Sequence, residues 1–331
     1  MSKQRLLNIL IPTYNRDKEL ILNLSRIKRY IRVLGIENDV NILISDNGSS
    51  QNSISILRNY LESCGTDNFK LFIQQKNLGI EDNSLFLLDH CDSIYAMFLG
   101  DDDYFDCDLL ERIICYLKKG TVYAILANYY QIDKEGNVIG KLRDPIQPDK
   151  IYKKGDFILA EKAHQLSCVT FRVEGVLNAY RKASISTLYP FVFFVGYNLS
   201  KGIGIHITEF PYRNTMIEKK NFNYEFDSLM SDLSESFDSI PFLSERNKKI
   251  AEWNFVKRNA RRIINAETIS HPIKFLCKVR NRYKINQNFK RIIMFHYVFS
   301  IILHPIVVLK IVVPKEIKEI IKKTMRKGDL R

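Results

Sequence analysis

Two hydrophobic rhythms alternate along the first 130 residues of the chain. Compact apolar runs at 6–11, 40–45, 69–74 and 94–99 read as buried strands. Between them apolar residues recur at helical spacing: Leu20, Leu24, Ile27 and Ile31 across 17–32, then Ile54, Leu57 and Leu61. A short helix is expected over 83–90, another through Leu109, Leu110, Ile113, Ile114 and Leu117, and a further strand over 122–128. Such alternation implies right-handed crossovers and a mostly parallel sheet covered on both faces, an α/β architecture. The pattern loosens after Tyr130. A hairpin is expected over 131–141, turning at Glu135, Gly136 and Asn137, and the dense apolar run 188–195 is assigned to the core beside a substrate cleft. Beyond 223 helices take over.

The strand at 94–99 drives into Asp101, Asp102 and Asp103. Three adjacent carboxylates repel one another unless something cationic sits on them. Their place at the end of a buried strand puts them at the carboxyl edge of the sheet, where open α/β sheets bind ligands. Hard carboxylate oxygens suit Mg²⁺ or Mn²⁺, whose coordination is commonly completed by substrate phosphates, so the triplet points to a nucleotide-diphosphate site. The competing reading is that these acids cap the helix beginning near Asp106. Three more loops leave neighbouring strands: Pro12, Thr13, Tyr14, Asn15 and Arg16; then 46–50, led by Asp46; then 77–83, with Asn77, Gly79 and Asn83. Thr13 and the backbone after it can frame a pyrimidine ring, and Asp46 can accept hydrogen bonds from a base or ribose. Each also has a plainer reading, as a helix cap for Asp46, a turn for Asn77 and Gly79, and a solvated helix start for Arg16.

Charge divides the chain. The net charge is +13, but from Ser244 onward Lys and Arg outnumber Asp and Glu by 22 to 6, leaving 28 against 31 before it. A basic helix is expected with Ile250, Trp253, Val256, Ala260, Ile263 and Ile264 on one face and Lys248, Lys249, Lys257, Arg258, Arg261 and Arg262 opposite, a pattern suited to an anionic membrane surface. The apolar stretch 292–313 is long enough to span a bilayer, at roughly 20 residues, but His296, His304, Pro305 and Lys310 interrupt it, which favours lying in the interface. Spanning and ordinary helical packing remain alternatives. Charges interleaved with aliphatic stripes rather than stacking aromatics argue against a nucleic-acid partner. Six scattered cysteines without a CxxC pair, and too short an apolar run near the N-terminus for a signal peptide, fit a reducing compartment.

Residues 6–105 resemble a family 2 glycosyltransferase of the GT-A fold, through Ile11-Pro12-Thr13-Tyr14-Asn15-Arg16, Ser45-Asp46-Asn47-Gly48-Ser49, Asn77-Leu78-Gly79 with Asn83, and Phe98-Leu99-Gly100-Asp101-Asp102-Asp103. The flavour is similar to the abequosyltransferase-like branch of bacterial surface-polysaccharide synthesis (O-antigen, capsule), in which a small residue and acids replace the commoner DxDD. The resemblance implies a Rossmann-like domain over 1–225, with a nucleotide-sugar half at 1–130 and an acceptor half at 131–225, followed by a helical, basic, membrane-associated region at 226–331. It implies an inverting, hexosyl-type transfer from a nucleotide-diphosphate sugar to a lipid-linked glycan at the cytoplasmic face of the inner membrane. The first loops, with Asp101, would hold the nucleotide, and Asp102 and Asp103 an Mn²⁺ or Mg²⁺ ion. Gly100 stands where the family has its first acid, and the run 189–194 lacks the family's acidic base. Glu174, Glu161 and Asp156 are the remaining candidates. The alternative is a scaffold protein that kept the fold and lost catalysis.

Overall fold

The computed structural model describes residues 4–65, 67–216, 226–258, 271–281 and 287–303. They divide into two compact units: 1–223 with 235–247, and 224–234 with 248–331.

The first unit is built on an eight-stranded sheet in the order β3-β2-β1-β4-β7-β5-β8-β6. Its first half follows the apolar runs. Strands β1 (Leu7–Thr13), β2 (Val40–Asp46), β3 (Phe69–Ile73) and β4 (Tyr95–Phe98) are joined by helices α1 (Asp17–Leu34), α2 (Gln51–Cys64) and α3 (Gly79–Asp89), and all pair in parallel. Each βαβ crossover returns the chain to the same edge, so four strand ends open side by side. β1 runs two residues beyond its apolar core: Pro12 and Thr13 are buried strand residues paired with Ser45 and Asp46, and the loop is reduced to Tyr14, Asn15 and Arg16. α3 starts at Gly79 rather than at 83, and Gly79, its first residue, supplies the left-handed conformation (φ +85°) at which the chain turns into the helix.

Helix α4 (Cys107–Lys118) leads to β5 (Val122–Ile132), four residues longer than its apolar signal. The expected hairpin is present as a short turn: Ile132 bridges Val138, and Ile139 N–H donates to the Gln131 carbonyl. The loosely patterned region supplies β6 (Lys150–Tyr152), a 3-10 helix (Phe157–His164), β7 (Val169–Arg172), α5 (Val176–Ala183), α6 (Pro190–Lys201) and β8 (Ile203–Thr215). β7 is antiparallel to both β4 and β5, while β8 is parallel to β5. The end of β8 and the start of β7 therefore arrive at the edge where β4 ends.

Alternation along β4 assigns the two faces of the sheet. Tyr95, Met97 and Leu99 join Leu7, Ile9, Ile11, α1 and α4 in one buried layer. Phe98 faces the other way into a ring cluster with Phe171, Phe191 and Phe194, at centroid distances of 5.0 to 6.4 Å. Phe191 through Val195, the dense apolar run, lie on α6 and are wholly buried. These rings fix the strand that carries the acids.

Helix α7 (Phe226–Ser239) contributes to both units. The second unit contains most of α8 (Glu245–Arg258), with α9 (Pro272–Asn281) and α10 (Gln287–Leu303). Phe255 packs on Phe289 and Phe275 on Tyr297. The buried stripe of α8 is displaced from the one expected. Ala251, Glu252, Phe255 and Val256 are buried, whereas Ile250 and Trp253 sit at its margin with more than a third of their surface exposed. Inward packing of Phe255 sets that rotation. Ala260, Arg261, Arg262, Ile263 and Ile264 lie outside the described residues, as does the 304–313 part of the apolar stretch. No described helix is long and apolar enough to cross a membrane.

Candidate active site

The four strand ends carry loops that are bonded to one another before any ligand is considered. After β1, Asn15 adopts a left-handed backbone (φ 52°); its side-chain Oδ1 accepts from the Ser50 N–H (2.9 Å), while its own backbone N–H donates to Ser49 Oγ (2.7 Å). After β2, Asp46 Oδ1 accepts from the Ser49 N–H (2.8 Å). Oδ1 thus shapes the turn, while Oδ2 makes no hydrogen bond among the described residues, in a residue that is only 3% exposed. Asn47 bridges to the next loop, donating to Asn77 Oδ1 (2.9 Å) and the Gly79 carbonyl (3.2 Å) and accepting from the Leu78 N–H (2.8 Å). Gly48 (φ +80°) lets the two backbones touch, since a Cβ there would lie 2.8 Å from the Lys76 carbonyl carbon.

Several expected nucleotide contacts are thereby assigned a supporting place. The Asn83 carboxamide is buried under β2, donating to the Ser45 carbonyl and accepting from Ser45 Oγ. Asn77 shapes its own turn through the Gly79 N–H. Pro12 lies within the sheet. Tyr14, 45% exposed, stands free at the mouth. Thr13 is directed not outward but to Asp101, its hydroxyl donating to Oδ2 at 2.8 Å.

The acids after β4 have three different environments. Asp101 and Asp102 meet at one nitrogen: Arg16 Nη1 lies 2.9 Å from Asp101 Oδ1 and 2.9 Å from Asp102 Oδ2, and both carboxylates are almost entirely shielded. Burial pushes the Asp101 carboxyl up to about 6, Arg16 pulls against that, and the Asp102 charge adds to it. Asp103 turns inward. Oδ1 accepts from the Thr215 N–H (2.7 Å), and Oδ2 from Ser167 Oγ (2.5 Å) and Asn214 Nδ2 (3.0 Å). Its backbone carbonyl accepts from Asn23 Nδ2 (2.6 Å), and the neighbouring Asp102 carbonyl from Thr215 Oγ1 (2.6 Å). Next in sequence, Tyr104 and Arg213 exchange two backbone hydrogen bonds. The triplet thus ties β4 to β7, β8 and α1. It does not cap a helix, because α4 begins at Cys107 with Asp106 as its N-cap residue.

At Gly100 a side chain would crowd the groups that hold Asp103. A Cβ there would sit 3.1 Å from both Asp103 Oδ2 and Ser167 Oγ. Ser167, Asn214, Thr215 and Asn23, which hold the triplet, carry no motif of their own; only the position of their strands and helix brings them here. Glu174 is not in the site. It follows β7, whose end lies at the opposite edge of the sheet, where the Val173 N–H donates to the Ile94 carbonyl before β4 begins. Asp156 caps the 3-10 helix through the Ile158 N–H, and Glu161 is buried within that helix.

Residues 8–184, more than half of the chain, match glycosyl transferase family 2, and the chain belongs to that family. An uncharacterized glycosyltransferase of Haemophilus influenzae is 26% identical over 172 residues, covering 51% of this chain and 62% of that protein, so the chain spans less than two thirds of that relative. Among solved structures, residues 1–349 of S. aureus TarS in complex with UDP-GlcNAc superpose with a TM-score of 0.62 at 13% identity, over 89% of this chain and 88% of that one. The mannosyltransferase PcManGT of Pyrobaculum calidifontis, in complex with GDP-Man and Mn²⁺, superposes with a TM-score of 0.52 at 12% identity, over 91% and 88%. At such identities the likeness is one of fold, and that fold is GT-A.

Two stability measurements follow from the acids' environments. Asp103→Asn should cost about 3 kcal/mol in urea unfolding, because it replaces an acceptor-only group facing three donors; a cost below about 1 kcal/mol would show that the inward tie is dispensable. Asp101 has a folded pKa above its unfolded value, so it takes up a proton on acidification and adds relative stability between about pH 6 and pH 4. Asp101→Asn should accordingly compare better with wild type at pH 7 than at pH 4, and the reverse order would contradict the assignment.

Proposed function

We propose that the chain transfers a glycosyl group, with inversion, from a nucleotide-diphosphate sugar to an acceptor hydroxyl. The observation that carries this reading is the convergence of Asp101 and Asp102 on one cationic nitrogen at the carboxyl edge of the sheet. A seat made of two shielded carboxylates that already accepts a positive group fits Mn²⁺ or Mg²⁺ in its donor chemistry. Among the described residues no three His, Cys, Asp or Glu side chains form a metal cluster, so the remaining ligands would come from donor phosphates and water.

In this reading Asp101 and Asp102 hold the ion, with Asp101 in place of the family's first acid, and Asp103 orients them from behind. When bound, the ion neutralises charge on the departing diphosphate. Arg16, displaced from the acids, presents a planar fork suited to phosphate oxygens. The Asp46 oxygen not used by the turn accepts a hydrogen bond from the base or ribose, and Tyr14 flanks the ring. The TarS and PcManGT complexes, holding UDP-GlcNAc and GDP-Man with Mn²⁺, support a nucleotide-sugar donor. We further infer a hexosyl-type transfer to a lipid-linked glycan in surface-polysaccharide synthesis, on the resemblance carried by residues 100–103 and the cationic region after Ser244.

Asp102→Asn keeps the shape of the side chain and removes the charge. Turnover should fall on the order of a hundredfold or more, with Mn²⁺ affinity reduced in parallel by calorimetry. Near wild-type turnover at saturating Mn²⁺ would refute the assignment. For the membrane, polybasic segments gain about 1 kcal/mol per Lys or Arg near an anionic surface. Replacing Lys257, Arg258, Arg261 and Arg262 with Gln should weaken sedimentation with anionic vesicles while donor hydrolysis persists. Binding indifferent both to lipid charge and to these changes would overturn peripheral attachment.

A further inference from the structure

Between α1 and α2, away from the acids, lies an open cleft of about 320 Å³. Its α1 wall carries Lys28, Arg29 and Arg32, and its α2 wall Tyr60, Ser63 and Cys64. Counting 1.5 Å per residue along α1, Arg29 is roughly 18 Å from the helix start beside Arg16, toward the opposite edge of the sheet. The cleft is thus a separate place from the site just described.

Three cations meet in it without an acid. Among the described residues none of the three makes an ion pair, although Asp and Glu outnumber Lys and Arg, 31 to 28, before Ser244. Lys28 is oriented by the last turn of α2, its Nζ donating to the Cys64 carbonyl at 2.7 Å. Ser25 Oγ and Tyr60 OH, 2.9 Å apart, join the two helices with a hydroxyl pair. Arg32 also complements the negative end of α1, which explains one cation in the last turn. It does not explain three cations around a common space lined with hydroxyl groups. The hydroxyls are engaged within the helices, Ser25 Oγ donating to the Ile21 carbonyl and Ser63 Oγ to the Tyr60 carbonyl, so they frame the cleft. The guanidinium and ammonium groups, without an acid partner, match the oxygens of a phosphate, which Arg binds through a fork and Lys as a point charge. The volume admits more than a bare ion, at about 30 Å³ per water molecule.

We propose that this cleft is a second anion site, one that binds a phosphate group carried either by a membrane lipid or by a small soluble metabolite. The helix itself bears on the source. Leu22 and Val33, 61% and 70% exposed, fall at seven residues before and four after Arg29, close to one line along α1. Exposed aliphatic side chains flanking a phosphate-binding arginine suit a headgroup at a bilayer surface.

The test uses the full chain and Arg29→Gln/Arg32→Gln, two exposed positions whose change leaves the core intact. Binding is measured calorimetrically for inorganic phosphate and glycerol phosphate, and by sedimentation for phosphatidylglycerol-containing against pure phosphatidylcholine vesicles. The vesicle arm is repeated in the background in which Lys257, Arg258, Arg261 and Arg262 are Gln. The double variant should lose affinity about tenfold or more for whichever phosphate-bearing probe binds. A loss confined to the anionic vesicles supports a lipid source, and a loss shared by glycerol phosphate supports a soluble one. Equal affinity of the double variant and the wild type for every probe would overturn the proposal. Arg16→Gln serves as a control: the probes should still bind it, whereas loss through Arg16 would assign the phosphate to the acidic site and overturn the proposal.

Discussion

Consecutive carboxylates at the end of a buried strand are the costliest feature of this sequence, and the edge of the sheet is arranged around separating them. Two unit charges 4 Å apart in an environment of effective dielectric near 20 repel by about 4 kcal/mol, comparable to a sizeable share of a domain's stability. The structure gives the acids different counterparts. Asp103 is surrounded by neutral donors from β8 and from the residue two before β7, and Asp101 and Asp102 share one guanidinium. The separation also explains why β8 ends and β7 begins at this edge, since the last residues of β8 and Ser167, just before β7, supply the donors.

Rigidity at this edge comes from side chains that never face a ligand. Asn47 joins the second and third loops, Asn83 braces β2 from below, and Gly48 allows backbone contact that any side chain would block. A site framed in this way meets its ligand with little reordering left to do, which is the purpose of a supporting shell.

The first half of the fold was readable because its strands are short apolar runs and its helices carry regular stripes; Leu20, Leu24, Ile27 and Ile31 are all buried as the spacing requires. Boundaries slipped where polar residues continue a strand, as at Thr13, which pairs with Asp46. The acceptor half was harder because β6 and β7 are only three and four residues long and antiparallel to their neighbours, and because α6 is buried along most of its length and offers little periodicity to read. Within the site, the acidic run announced itself by charge. Ser167, Asn214 and Thr215 did not, since their role depends on β7 and β8 converging from 64 and more residues away. Glu174 misled for the same reason: nearness in sequence to β7 says nothing about which edge of the sheet the strand leaves from.

Arg16 gives the resting protein a built-in counter-ion. Many metal proteins collapse when stripped because their ligands have no other way to discharge their mutual repulsion. Here the chain carries its own substitute on the loop after β1, within reach of both acids. Folding therefore needs no added ion to balance these two charges. Under the proposed reading, ion uptake would be an exchange of one cation for another, at an electrostatic cost set by Arg16 rather than by bare charge.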